Sequence, residues 1–159
     1  MWHQGFEPVI DDKSSVLILG SFPSIKSREQ GFYYGNPQNR FWNMLSTVLG
    51  ENVPKDISGR KEFLLRHGVA LWDVIKSSTI TSSKDSDITE DNSIPVDFNE
   101  VLCKYPNLKL ILCNGNLSYQ TFIKFNPNCK IPCLKMQSTS SANGRYKVDG
   151  WVTAIKSVL

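Results

Sequence analysis

Apolar residues in this chain follow two rhythms. Short apolar runs at residues 16–19, 69–75 and 108–113 read as strands buried on both faces, and 131–136 reads as a fourth. Between them the spacing turns helical. Phe41, Met44, Leu45, Val48 and Leu49 recur at i, i+3, i+4, i+7 and i+8 ahead of Gly50, with Asn36-Pro37 as a cap residue and a proline at the first helical position. Residues 16–49 therefore read as strand, long loop, helix. Shorter helices are expected over 60–66, closed by Gly68, and over 98–105, stopped by Pro106. Two more are expected over 117–125, with Tyr119, Phe122 and Ile123 inward, and over 148–159, with Val152, Ile155, Val158 and Leu159 inward. The first fifteen residues carry Trp2, Phe6, Val9 and Ile10, too apolar for a loose tail, and are expected to lie across the core. Residues 76–95, rich in Ser, Thr and Asp, read as a surface loop. Strands alternating with helices predict a three-layer α/β/α fold around a mainly parallel four-stranded sheet, in one domain spanning 1–159. The loops at the carboxyl ends of the strands then converge on one crevice, where such sheets bind ligands.

Composition narrows the classes that remain. Cys103, Cys113, Cys129 and Cys133 match no zinc spacing, and burial as free thiols is the favoured reading. His3 and His67 are too few and too scattered to argue for a metal centre. No signal peptide or membrane-length apolar run is evident, which makes the cytoplasm the expected compartment. The net charge of +3 is unevenly spread. Residues 85–100 hold six acids and no base, whereas 124–159 hold six bases against Asp149. A basic face of that kind neutralises phosphates if the bases cluster, and is an ordinary solvated surface if they do not.

The candidate chemistry sits at strand ends. Gly20-Ser21-Phe22-Pro23 turns the chain after the first strand. Phe32, Tyr33 and Tyr34 fall together between two glycines, either as buried anchors or as a stacking platform for a flat ligand. Asn39, read into the first helical turn, is positioned to direct its amide into the same crevice. Asp73 closes the second run, as an acid or base or as a brace for the loop. Asn114 ends the third, either touching a ligand or shaping the turn. Residues 137–145, QSTSSANGR, form a loop of small side chains and backbone donors able to approach phosphates closely. Neither G-x-S-x-G nor a phosphate-binding glycine motif occurs, which argues against an esterase or a nucleotide-binding protein.

GSFPSIKSREQGFYYGNPQNRFW at 20–42 resembles the first motif region of the uracil-DNA glycosylase superfamily. HGVALWDVI at 67–75, LILCNG at 110–115 and STSSANGRY at 138–146 continue the likeness over nearly the whole chain. It is most similar to the hypoxanthine-DNA (deoxyinosine) glycosylase branch, with the mismatch-specific uracil/thymine glycosylases as neighbours. The resemblance implies a monofunctional glycosylase without cofactor or metal, acting as a monomer on double-stranded DNA that contains a deaminated or mismatched base. A mismatch-specific uracil/thymine-DNA glycosylase and a catalytically inactive DNA-binding member of the fold are the rivals. It further implies Asn39 as the catalytic residue and Gly20, Ser21, Phe22, Pro23, Tyr34 and Asn114 as the base site. Ser27, Ser138, Thr139, Ser140, Ser141, Asn143 and Arg145 would contact DNA. Three departures stand out: Phe22 where many members place a water-activating Asp or Asn, Val96-Asp97 for an Asn-Asp pair, and Ser141 for a proline. No lysine occupies a nucleophile position, so strand cleavage through a Schiff base is not expected.

Overall fold

A computed structural model describes residues 2–79 and 88–159. Its centre is strand β2 (Val16–Gly20), every residue of which is buried. It pairs in parallel with β3 (Val69–Asp73) on one side and β6 (Leu110–Asn114) on the other, and β7 (Cys133–Met136) completes the order β3-β2-β6-β7. The chain leaves β2 for β3 on one side and later returns to β6 on the other, so the order reverses next to β2 and opens a crevice there.

Alternation along β2 builds two cores. Val16 and Ile18 pack with α2 (Phe41–Leu49), α3 (Ile57–Arg66) and α6 (Asp149–Lys156), while Leu17 and Leu19 face α4 (Phe98–Lys104) and α5 (Asn116–Phe125). This is the three-layer α/β/α arrangement expected from the sequence. The first residues do lie across the core: β1 (His3–Gln4) pairs with β4 (Ile75–Ser78), and Val9 exchanges two 2.9 Å backbone bonds with Leu71. That strap covers the outer edge of β3, which would otherwise offer unpaired backbone groups.

Several elements depart from the sequence reading. The loop after β2 contains a helix, α1 (Ile25–Gln30), capped by Ser24 and ended at Gly31 with φ +81°. Asn36-Pro37-Gln38-Asn39 is a turn closed by Asn39 N–H on the Asn36 carbonyl at 2.9 Å, so α2 begins at Phe41 and Asn39 precedes it. Asn-Pro suits the first two positions of a turn as well as a helix start, and here the turn wins. The run 69–75 divides at Val74: β3 stays in the parallel sheet, and Ile75 begins an antiparallel one, ordered β1-β4-β5, with β5 at Ser93–Pro95. Part of the expected surface loop is thus ordered strand. Its serines are buried without an apolar signature because Ser78 Oγ donates to the Asn92 carbonyl at 2.8 Å. Residues 80–87, including Asp85 and Asp87 of the acidic run, lie outside the described residues. Ile123 is exposed because α5 turns Ser118 and Phe122 inward, and α6 buries Trp151, Ala154 and Ile155 while Leu159 lies beyond its end, exposed. Cys113 is buried, Cys129 and Cys133 are half-buried, and Cys103 is exposed, all as free thiols.

Candidate active site

The crevice beside β2 is a cleft of about 670 Å³. Gly20 forms its floor for a steric reason. A Cβ there would stand 2.5 Å from Asp73 Oδ1 and 3.2 Å from the Tyr34 hydroxyl. Glycine lets the carboxylate, the phenol and the end of β2 meet. The Gly20 and Ser21 carbonyls accept from Val74 and Ile75 N–H at 2.8 and 3.1 Å, tying the turn to β3. The Phe22 N–H, at the cleft wall, has no acceptor among the described residues.

The three adjacent aromatics divide the two roles left open by the sequence. Phe32 and Tyr33 are buried anchors: Phe32 stacks towards Trp42, and Tyr33 Oη donates to the Glu7 carbonyl at 2.7 Å. Tyr34 borders the cleft, as does Tyr33, whose hydroxyl is tied to the Glu7 carbonyl. Tyr34 is the only non-glycine residue with positive φ among those described, at 51°, a conformation costing about 1–2 kcal/mol. That backbone lays its ring on Phe41, centroids 3.9 Å apart and planes within 15°. The Tyr34 hydroxyl reaches the end of β2 and accepts from Asn114 Nδ2 at 3.3 Å. Burial, followed by the charge of Asp73, raises both tyrosine pKa values, so Tyr34 remains a phenol and a donor.

Opposite this shelf, Asn39 is fixed by its oxygen. Oδ1 accepts from Phe41 N–H at 2.9 Å and from Thr139 Oγ1 at 2.7 Å, leaving Nδ2 as its cleft-facing group. Thr139, fully buried, also accepts from Asn114 Nδ2 at 3.0 Å and donates its N–H to Asn114 Oδ1 at 3.0 Å. Asn114 Nδ2 lies 3.3 Å from Tyr34 Oη. One chain of hydrogen bonds thus joins the carboxamide, the 137–145 loop and the phenol. Arg40 holds that loop from beneath, through the Thr139, Ser140 and Asn143 carbonyls.

Most residues singled out in the sequence meet at this cleft: Gly20, Ser21, Phe22, Pro23, Tyr34, Asn39, Asn114, Ser138, Ser140 and Asn143 all line it. Four change role. Ser27 lines the cleft but is only 4% exposed, and its Oγ accepts from Gly35 N–H at 2.9 Å, so it braces the loop from within. Thr139 likewise works inward. Asn114 Nδ2 donates to Thr139 and Tyr34 and its Oδ1 accepts from the Thr139 N–H, so it sets both of those residues. Asn39 acts from a turn and not from a helix. Ser141 and Arg145 are exposed on the loop beyond the cleft. Arg40, Lys26 and Phe6 also belong to the site or its support, and the sequence reading missed them. Arg40 was legible only as the neighbour of Asn39. Among the described residues no cluster of His, Cys, Asp and Glu suits a metal ion, and no helix is long and apolar enough to cross a membrane.

Comparison with known proteins agrees with this geometry. The family model described as the uracil DNA glycosylase superfamily matches residues 7–155. A hypoxanthine DNA glycosylase of Methanosarcina barkeri (strain Fusaro / DSM 804) is 37% identical, over 98% of this chain and 99% of its own. One from Methanosarcina acetivorans is 34% identical, over 92% and 91%. A solution NMR structure of a candidate uracil DNA glycosylase from Methanosarcina acetivorans superposes with a TM-score of 0.84 at 30% identity, covering 99% of this chain and 98% of that one.

Proposed function

Because the chain belongs to the uracil DNA glycosylase superfamily, we propose that it removes deaminated bases from double-stranded DNA, hypoxanthine first and uracil second, by hydrolysing the N-glycosidic bond. The observation that carries this reading is the shared cleft: an aromatic shelf, Tyr34, and a carboxamide, Asn39, at the carboxyl ends of β2 and β6. A base stacked in a duplex is out of reach, so the nucleotide turns out of the helix, at least cost where it is mispaired. Tyr34 stacks on the extruded base. The exposed part of the 138–145 loop, with Arg145, meets the DNA backbone.

The chemistry follows from which atoms are free. As the glycosidic bond breaks, charge develops on the departing base. The Phe22 N–H and the Tyr34 hydroxyl are donors suited to it, each worth about 3 kcal/mol where such donors are well aimed. Asn39 has committed its oxygen, so it offers water only N–H donors. It orients the water by the oxygen atom and takes no proton, and catalysis rests on the leaving group. Hypoxanthine and uracil share a lactam, an N–H beside a C=O, whereas adenine and cytosine present a bare ring nitrogen beside an amine. The Asp73 carboxylate accepts from the lactam N–H and repels the bare nitrogen.

Duplexes carrying hypoxanthine, uracil, xanthine, a G·T mismatch or no lesion, incubated with protein and treated with alkali, test the proposal. Alkali-labile sites at the positions of hypoxanthine and uracil, with a single-turnover rate that falls roughly 100-fold or more in Asn39→Ala, are expected. Binding without cleavage would make the protein a DNA-binding member of the fold, and cleavage confined to mismatched pyrimidines would make it a uracil/thymine enzyme.

A further inference from the structure

Arg40 occupies an unusual place in the connectivity. It follows Asn39 directly and is the residue from which α2 starts. Its backbone N–H donates to the Thr139 carbonyl at 2.9 Å, and Nε reaches the same oxygen at 3.4 Å. Nη2 donates to the Ser140 carbonyl and, at 2.7 Å, to that of Asn143. The guanidinium also lies 4.3 Å from the centroid of the Tyr146 ring. Three carbonyls about a hundred residues downstream therefore converge on one planar group, a geometry that a lysine ammonium cannot reproduce.

We propose that Arg40 is a positioning residue that couples the DNA-facing loop to the carboxamide of Asn39. The proposal rests on the glycosylase reading above. The link runs in series: Arg40 fixes the backbone of residues 139–143, and within that segment Thr139, whose carbonyl Arg40 holds, presents its hydroxyl to Asn39 Oδ1 at 2.7 Å. A shift of the loop by a fraction of an ångström moves the hydroxyl that holds Asn39 Oδ1. Among the described residues no carboxylate pairs with Arg40, so its charge also makes the loop positive from beneath without a phosphate contact of its own.

Arg40→Lys and Thr139→Val separate this from a direct role in DNA binding. The first keeps the charge and loses the fork. The second keeps the shape and loses the hydroxyl. Single-turnover base release at saturating protein is expected to fall roughly 10–100-fold in each, as a misoriented reacting group would require. Affinity for duplex should stay within about threefold, with the dependence of log Kd on log salt unchanged, because no phosphate contact is removed. The double variant should be no slower than the worse single one, since both cut one link. Full rate at saturation in Arg40→Lys, a loss confined to Kd with a shallower salt slope, or multiplied effects in the double variant would each overturn the proposal. If the unaltered protein releases no base, the glycosylase reading fails by itself, and the coupling is then judged by NMR. The Asn39 side-chain NH₂ signals should shift and exchange faster with solvent in both variants, and signals left in place in both would overturn it.

Discussion

Tyr34 and Gly20 show how much a single position can decide in this cleft. Gly20→Ala forces its new methyl against Asp73 Oδ1 and the Tyr34 hydroxyl. We expect a loss of about 1–3 kcal/mol in denaturant unfolding, as for other overpacked sites, together with reduced cleavage. Tyr34→Phe keeps the stacked ring and removes only the hydroxyl. A loss near 1 kcal/mol is expected, with base release slowed more than stability falls. The tyrosines also carry a pH signature. Burial raises the phenol pKa of Tyr33 and Tyr34 above the ordinary 10.0, so folding favours their protonated form. Their contribution to stability is complete below pH 10 and is lost as pH rises towards the folded values. In a spectrophotometric titration, these two of the five tyrosines should stay un-ionised until the protein unfolds in alkali.

At the scale of elements, the loop between β2 and α2 depends on hydrogen bonds that periodicity does not register. Ser27 Oγ, in α1, accepts from the Gly35 N–H at 2.9 Å. Ser27→Ala strands that donor and should cost about 1–3 kcal/mol in a thermal melt. Ser24→Ala, which removes the cap, should cost about 1 kcal/mol. The same bonds explain what the sequence disclosed. Parallel strands β2, β3 and β6 and the face of α2 were legible because burial there is apolar. By contrast β7, read from the sequence as another buried strand, is an edge strand that buries only Met136 and exposes Leu134 and Lys135. Six-residue α1 was not legible, because a helix that short has no apolar face to display, although Ser24 and Gly31 marked its ends. β4 escaped because Ser77 and Ser78 are buried by hydrogen bonding. The site was legible as a list of strand-end residues, Gly20, Asn39 and Asn114 among them. It was not legible as a network, because the bonds through Thr139 and Arg40 link positions about a hundred residues apart.

Across the whole molecule, the strap of residues 2–10 joins three parts that the chain otherwise keeps separate. Val9 closes the edge of β3, while the Phe6 carbonyl accepts from Tyr33 Oη at 3.2 Å and from Trp72 Nε1 at 3.1 Å. Val9→Pro removes the donor to Leu71 while sparing the side of the strap that touches the aromatics. We expect it to destabilise by about 1–3 kcal/mol and to raise light scattering on heating as the strand edge is bared.

The course of that strap bears on how the protein is handled. Phe6 borders the cleft, so a fluorophore attached to the strap near it would crowd the mouth of the proposed base site. Leu159, 54% exposed past the last helix and away from the cleft lining, is a position for a label meant to leave turnover untouched.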